Sequence, residues 1–116
     1  MTKRRKDTDY LFLSARIRAM ERRLLTAQRL EQLLTAPSAE ACAQLLSAGG
    51  YAPVHDEPSL QAALSAPREA VFADVSRFMP EAEVLDVFRL KYDYHNIKTL
   101  LKAPQDAERL LIDAGT

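Results

Sequence analysis

The segment from residue 84 to residue 102 carries the clearest hydrophobic pattern in the chain. Apolar residues recur in it at steps of three and four, as the row Val87, Leu90, Tyr94, Ile97 and Leu101. At 3.6 residues per turn, such residues share one face of an α-helix. A second row, Leu85, Phe88 and Tyr92, lies beside the first and widens the apolar arc. The pattern predicts a central helix whose first row is a buried seam against neighbouring helices.

Shorter periodic segments predict further helices before this one. A first helix over residues 10–25 has the apolar positions Tyr10, Leu13, Ile17, Met20 and Leu24. Thr26 and Ser38 have the hydroxyls expected of N-cap residues for a second and a third helix. Pro37 would end the second of these helices, and Gly49-Gly50 would end the third.

The rest of the chain alternates helical patterns with proline breaks. Residues 51–58 contain two prolines and no helical period, which predicts a loop. The helical pattern resumes at Ser59, with Pro67 either starting a new turn or bending the helix, and Pro80 separates it from the central helix. A last short apolar helix is predicted at residues 110–112, ending at Gly115. We therefore predict an all-α fold, a compact bundle of about five to six helices.

Composition supports one small helical domain. The 116 residues are 47% hydrophobic and 28% charged, and only 3 Gly and 7% aromatic residues favour helix over sheet. We predict a single helical module over residues 1–116. No stretch approaches the roughly 18 apolar residues of a membrane span, and the basic start lacks the apolar run of a signal peptide.

The balanced total charge conceals an uneven distribution. Residues 1–23 hold eight Lys or Arg against three acidic residues, and the remainder holds eight against thirteen. The basic end can therefore attract the acidic remainder or face an acidic partner. Its run Lys3-Arg4-Arg5-Lys6 could touch phosphates or anionic headgroups, but such runs are more often solvated, and we predict a disordered basic end over residues 1–7.

A polar group lies beside the apolar row of the central helix. Asp93 and Asn96 are three residues apart and share a helix face, with Arg89 as the local partner of the carboxylate. A carboxylate so close to apolar surface needs a partner or water. Surface ion pairing and a buried structural network are equally compatible with this spacing.

For the network we propose a specific partner, the arginine-rich first helix. In this hypothesis Asp93 and Asn96 bind Arg16 or Arg18 and fix the crossing of the two helices. Asp93→Ala would then cost about 3 to 5 kcal/mol if the contact is buried. An exposed pair would cost about 1 kcal/mol or less.

Motifs of catalysis are missing from the sequence. It contains no glycine-rich phosphate loop, no GxSxG, no HExxH and no pair of cysteines. His55, Asp56 and Glu57 are adjacent ligand types in the predicted loop, but no second ligand cluster accompanies them, so a metal site is disfavoured. We expect Cys42 to be a small buried apolar residue. We therefore predict no catalytic, cofactor-binding or metal-binding residue.

Two segments resemble a known family. The first helix reads YLFLSARIRAMERRLL and the central helix reads FRLKYDYHNIKTLLK, and together they resemble the N-terminal part of the C subunit of V-type (A-type) ATPases, the counterpart of the eukaryotic d subunit. LLSAGGY, Leu45 to Tyr51, is also similar. KYDYHNIK is the most specific of these segments, whereas Lys3 to Lys6 and the loop at His55 to Pro58 depart from the family pattern.

The resemblance implies a structural role for the chain. It implies that the chain is one of three similar helical modules. Together the three modules would form a funnel that rests on the membrane rotor ring and receives the foot of the central shaft. Such a subunit transmits torque, binds no nucleotide, small-molecule substrate or nucleic acid, moves no ion and belongs to a cytoplasmic complex peripheral to the membrane. The chain would then be an N-terminal fragment, able to self-associate through apolar surface that other modules cover.

A second hypothesis belongs to another class of function. The eight early Lys and Arg are compatible with a generic helical adaptor or a basic nucleic-acid-binding domain. The acidic remainder and the lack of aromatic residues among the early basic ones count against nucleic-acid binding.

Overall fold

The computed structural model describes residues 4–116, which form helices and no strand. There are six α-helices: α1 (Leu11–Glu21), α2 (Ala27–Leu34), α3 (Ala39–Ala48), α4 (Glu57–Phe78), α5 (Ala82–Lys102) and α6 (Ala107–Leu110). Two 3₁₀ turns, Asp7–Tyr10 and Pro104–Asp106, precede α1 and α6. The all-α class and the number of helices are confirmed for these residues.

The chain divides into two units between Val75 and Ser76, in the last turn of α4. The single module over residues 1–116 stays a prediction. The predicted disordered end at residues 1–7 falls partly on residues 1–3, which lie outside the described residues. Beyond them the Lys6 backbone N–H donates to the Asp9 carboxylate over 3.0 Å, at the start of the first 3₁₀ turn.

The first helix is shorter than predicted. α1 ends at Glu21, whereas the apolar spacing predicts helix to residue 25. The Arg23 N–H bonds to the Met20 carbonyl over 2.9 Å and the Leu24 N–H to the Glu21 carbonyl over 3.2 Å, three residues back rather than four. Such bonds tighten the final turn of a helix. Thr26 follows with an extended backbone, and it is the N-cap residue of α2.

Two predicted N-caps are confirmed. The Thr26 hydroxyl accepts a hydrogen bond from the Arg29 N–H at 3.2 Å, and the Ser38 hydroxyl accepts one from the Ala41 N–H at 3.1 Å. Each bond satisfies a backbone donor that has no partner inside its own helix. Short-range chemistry therefore sets the starts of α2 and α3.

The predicted glycine stop of α3 is also confirmed. The Tyr51 N–H bonds to the Leu46 carbonyl at 3.1 Å, and the Gly50 N–H bonds to the Ser47 carbonyl at 3.0 Å. This pair of bonds is a Schellman motif, which requires a left-handed residue just past the helix. Gly50 is that residue, with φ of 93°.

The start of α4 lies earlier in the chain than the sequence predicts. α4 begins at Glu57, inside the predicted loop of residues 51–58, and runs without a break across Pro67 to Phe78. Pro67 therefore does not start a new helix. Burial in this unit centres on three apolar residues, Leu13 of α1 and Ala63 and Val75 of α4.

In the second unit, the predicted burial of the α5 row is wrong. Val87, Leu90, Tyr94, Ile97 and Leu101 are between 53% and 78% exposed. The buried residues of α5 are Leu85 and Thr99, which lie on the opposite side of the helix. The period of the row correctly predicts the helix, but a period cannot identify the surface that covers a face.

The last helix lies earlier than predicted. α6 ends at Leu110, and residues 111–116 follow without regular structure, although the sequence predicts helix at residues 110–112. Leu111 has an extended backbone, with ψ of 144°. The backbone of this last stretch bonds to side chains of α5 instead of continuing a helix.

Replacing Gly50 tests the end of α3. No atom lies within 4 Å of the position that a Cβ would take at Gly50, so the cost of Gly50→Ala is conformational. We expect the free energy of unfolding, measured by urea denaturation, to fall by about 1 to 2 kcal/mol. Gly50→Asn should lose less, since Asn tolerates the left-handed region better. Equal losses for the two variants would contradict this account.

Candidate functional site

The main polar cluster of the second unit holds the C-terminal stretch against α5. We call Asp93, His95 and Asn96 the polar clamp, because each bonds to a residue between Leu110 and Thr116. The stretch from Leu111 onward has no helical partners for its backbone groups. Backbone N–H and C=O groups that leave water need other partners, and the polar clamp supplies them.

Asn96 makes the central contact of the polar clamp. Its Nδ2 donates to the Ile112 carbonyl at 2.8 Å, and its Oδ1 accepts from the Ile112 N–H at 2.9 Å. Both residues are half-buried. One amide side chain thus satisfies both backbone groups of one residue, as an adjacent strand would.

Asp93 holds the end of the same stretch. Its carboxylate accepts from the Thr116 N–H at 3.1 Å and from the Thr116 hydroxyl at 2.7 Å. A Cβ built on Gly115 would overlap the Asp93 carboxylate, so this approach requires glycine. The bonds from Thr116 to this carboxylate are exposed. The two costs expected for loss of an Asp93–arginine contact stay predictions.

His95 contacts the end of α6. Its Nε2 lies 2.9 Å from the carbonyl oxygen of Leu110, the last residue of that helix. A carbonyl can only accept, so Nε2 carries a proton and donates. The carbonyls at a helix end have no partner within the helix, and His95 supplies one. The hydroxyl of buried Thr99 lies 3.4 Å from the same nitrogen.

The arginines proposed for the network have other partners within the first unit. Arg16 donates to the Asp74 carboxylate of α4 through Nε at 2.5 Å and through Nη2 at 2.6 Å. This bidentate bond raises the pKa of Arg16 above its ordinary value. Arg18 lies 3.5 Å from Glu21 of its own helix.

A link from Arg16 or Arg18 to Asp93 or Asn96 would join the two units and stays a prediction. Arg89, the expected local partner of Asp93, forms an ion pair with Asp86 at 3.7 Å. The structure thus places both Asp93 and Asn96 in contact with the C-terminal segment, at Thr116 and Ile112 respectively.

Some residues of these contacts do not stand out in the sequence. In the sequence Asp74 lies between the apolar residues Val71 and Val75, much as Asp93 lies beside the apolar row of α5. His95 belongs to the segment KYDYHNIK, but the sequence assigns it no contact. Nothing in the pattern identifies Thr116, whose role depends on a backbone path that has no period.

The His55-Asp56-Glu57 segment caps α4. Asp56 Oδ1 accepts from the Ser59 N–H at 2.9 Å, and the Ser59 hydroxyl accepts from the Asp56 N–H at 2.9 Å, a reciprocal capping box. The bonds from Ser59 lower the pKa of Asp56, with a smaller contribution from His55. Within residues 4–116 no three His, Cys, Asp or Glu side chains are grouped so as to hold a metal ion.

Two further features of the described residues bear on the site. Cys42 is half-buried, with its Sγ 3.6 Å from the Leu33 carbonyl oxygen. None of the helices within residues 4–116 combines the length and the apolar character that crossing a membrane requires.

Comparison with known families assigns the chain. The model of the family "ATP synthase (C/AC39) subunit" matches residues 13–113, which include most of α1, the whole of α5 and the first part of the stretch held by the polar clamp. The chain belongs to this family.

Two characterised relatives agree with the assignment. The C subunit of the V-type sodium ATPase of Enterococcus hirae is 28% identical over 113 residues, which cover 92% of this chain and 34% of the relative. The C subunit of the A-type ATP synthase of Methanocaldococcus jannaschii is 30% identical over 104 residues, 81% of this chain and 26% of the relative. The chain thus spans about a third or less of their length. No solved structure matches it significantly.

Loss of the Asn96 side chain should loosen the polar clamp. Asn96→Ala leaves both backbone groups of half-buried Ile112 without their partner, so we expect the free energy of unfolding to fall by about 1 to 3 kcal/mol. Amide hydrogen exchange at Ile112 should accelerate as well. Lys98→Ala, an exposed change on the same helix, should stay within about 0.5 kcal/mol. Unchanged exchange at Ile112 in Asn96→Ala would argue against the contact.

The cap of α4 should depend on pH. Because the pKa of Asp56 is lowered in the folded protein from 3.8, its contribution to stability is present above that value and is lost as the pH falls through the lowered pKa. The difference in unfolding free energy between the wild type and Asp56→Asn should therefore shrink in acid. Ser59→Ala, which removes the main cause of the shift, should weaken this pH dependence. A difference that is constant across the acid range would reject this account.

Proposed function

We propose that the chain is part of a non-catalytic central-stalk subunit of a V-type or A-type rotary ATPase. In this role it links the central shaft to the membrane rotor ring and transmits torque in ATP-driven ion transport or in ATP synthesis. Its partners are the shaft subunits and the ring, and it lies on the cytoplasmic side as a peripheral part of the complex. It binds no nucleotide and translocates no ion itself.

The family match over residues 13–113 carries this proposal. Both relatives bear the name of the C subunit of an ion-translocating or ATP-synthesising complex. The described residues add two long helices, of which α4 has a capped start. α4 and α5 have 22 and 21 residues, or about 30 Å each at 1.5 Å per residue.

A torque-transmitting subunit has to resist deformation between its two contacts. Side chains packed as in crystals give protein interiors a low compressibility. Helix ends that are fixed by caps and by the polar clamp add to this resistance, because they remove the frayed turns and the loose segments that would otherwise yield. The contacts in the polar clamp join side chains to backbone, which suits a structural role.

The test is recovery of the complex through this protein. The complete subunit, tagged and expressed in cells that make the rotary ATPase, should co-purify with both shaft and ring subunits. A complex depleted of the subunit should keep ATP hydrolysis and lose ion transport, because the motor then turns without driving the ring. A complex that keeps ion transport without the subunit would contradict the proposal, as would recovery of neither partner.

The same preparation tests the nucleic-acid alternative. Binding to DNA or RNA that weakens steeply with added salt would favour a basic binding domain over a stalk subunit. The bidentate bond between Arg16 and Asp74 already neutralises one of the early arginines. We therefore expect no salt-dependent nucleic-acid binding.

A further inference from the structure

The bond between Arg16 and Asp74 joins two helices of the first unit that are far apart in the sequence. Arg16 belongs to α1 and Asp74 to the C-terminal part of α4, and 58 residues separate them. Nε and Nη2 of the guanidinium donate to different oxygens of the carboxylate, at 2.5 and 2.6 Å. Two parallel bonds of this kind fix the relative orientation of the two planar groups as well as their distance. The contact therefore opposes rotation and sliding of α1 against α4.

The buried apolar residues of the same unit are few. Within residues 4–75 only Leu13, Ala63 and Val75 are buried, with exposed fractions of 4%, 1% and 7%. Arg16 follows Leu13 by about one turn of α1, and Asp74 directly precedes Val75. Hydrophobic attraction has no preferred direction, so it opposes separation of two helices more than it opposes their sliding. The bidentate bond supplies the direction that these apolar residues lack.

The exposure of the pair separates this effect from stability. The Arg16 side chain is 43% exposed and that of Asp74 is 23% exposed. Ion pairs that remain open to water add little to the free energy of unfolding. A change of geometry at Arg16 should therefore leave the protein folded, while it removes the resistance of the two helices to sliding.

We propose that Arg16 is a positioning residue for torque transmission, because its bidentate bond to Asp74 holds α1 and α4 against sliding under load. This inference rests on the proposed function of the chain in a rotary ATPase. Lysine at position 16 would keep the positive charge, but its single nitrogen lacks the planar fork of a guanidinium. Arg16→Lys therefore separates the direction of the bond from its charge.

Transport against an opposing ion gradient tests the proposal in the assembled complex. With Arg16→Lys in this subunit, the complex in vesicles should transport as many ions per ATP as the wild type when no gradient opposes it. The ratio should fall below that of the wild type as the opposing gradient becomes steeper. Arg18→Lys is the matched control, because Arg18 lies on the same helix and 3.5 Å from Glu21 of that helix. It should keep the wild-type ratio at every gradient.

Two outcomes of this experiment would overturn the proposal. One is an equal ratio for Arg16→Lys and the wild type at the steepest gradient. The other is a subunit with Arg16→Lys that fails to enter the complex while Arg18→Lys enters it, because the bond would then serve folding or assembly. Failure of the proposed function has a different sign, since the wild-type subunit would then recover neither shaft nor ring.

Distances between spin labels test the same contact without the complex. In the complete subunit, with Cys42→Ala and no other cysteine, labels are attached through Ser14→Cys in α1 and Gln61→Cys in α4, both at exposed positions. The distribution of distances should be broader in Arg16→Lys than in the wild type, and unchanged in Arg18→Lys. An unchanged width in Arg16→Lys would overturn the proposal, because other contacts would then hold the two helices.

Discussion

The second unit depends on finding hydrogen-bond partners for a backbone that has left its helix. Beyond Leu110 the chain has no regular structure, so its amide and carbonyl groups cannot satisfy one another. α5 supplies the missing partners from its side chains, and Asn96 is the residue best suited to this. A primary amide carries a donor and an acceptor in one plane, so Asn96 can match both backbone groups of Ile112 at 2.8 and 2.9 Å. A carboxylate at this position could not donate to the Ile112 carbonyl.

The same constraint explains which parts of the fold could be predicted from the sequence. Thr26, Ser38 and Gly50 act on backbone groups a few residues away, so their roles follow from residue type and spacing alone. The period of the apolar row from Val87 to Leu101 predicts α5 for a similar reason, since a helix brings residues three and four apart onto one face. The spacing of Asp93 and Asn96 likewise predicts that the two side chains share a helix face. It does not identify their partners.

Contacts between distant residues could not be predicted in this way. Arg16 and Asp74 are 58 residues apart, and several acidic side chains offered Arg16 equivalent chemistry. The predicted burial of the apolar row of α5 is wrong for a related reason. A hydrophobic period shows that a face is suited to burial, but the covering surface is set by tertiary or quaternary structure. In α5 the covered face is the one that carries Leu85 and Thr99, not the one with the longest apolar row.

The register of the polar clamp cannot be set by Asn96 alone, because every residue of the stretch offers the same backbone N–H and C=O. Two other contacts distinguish one register from the next. His95 donates to the carbonyl that ends α6, which is fixed by the length of that helix. At the other end, Asp93 approaches Gly115 so closely that a residue with a Cβ would collide with the carboxylate. Gly115 is the only glycine between Leu110 and Thr116, so a shift by one residue would bring Ala114 or Thr116 against Asp93 and break the pairing with Ile112.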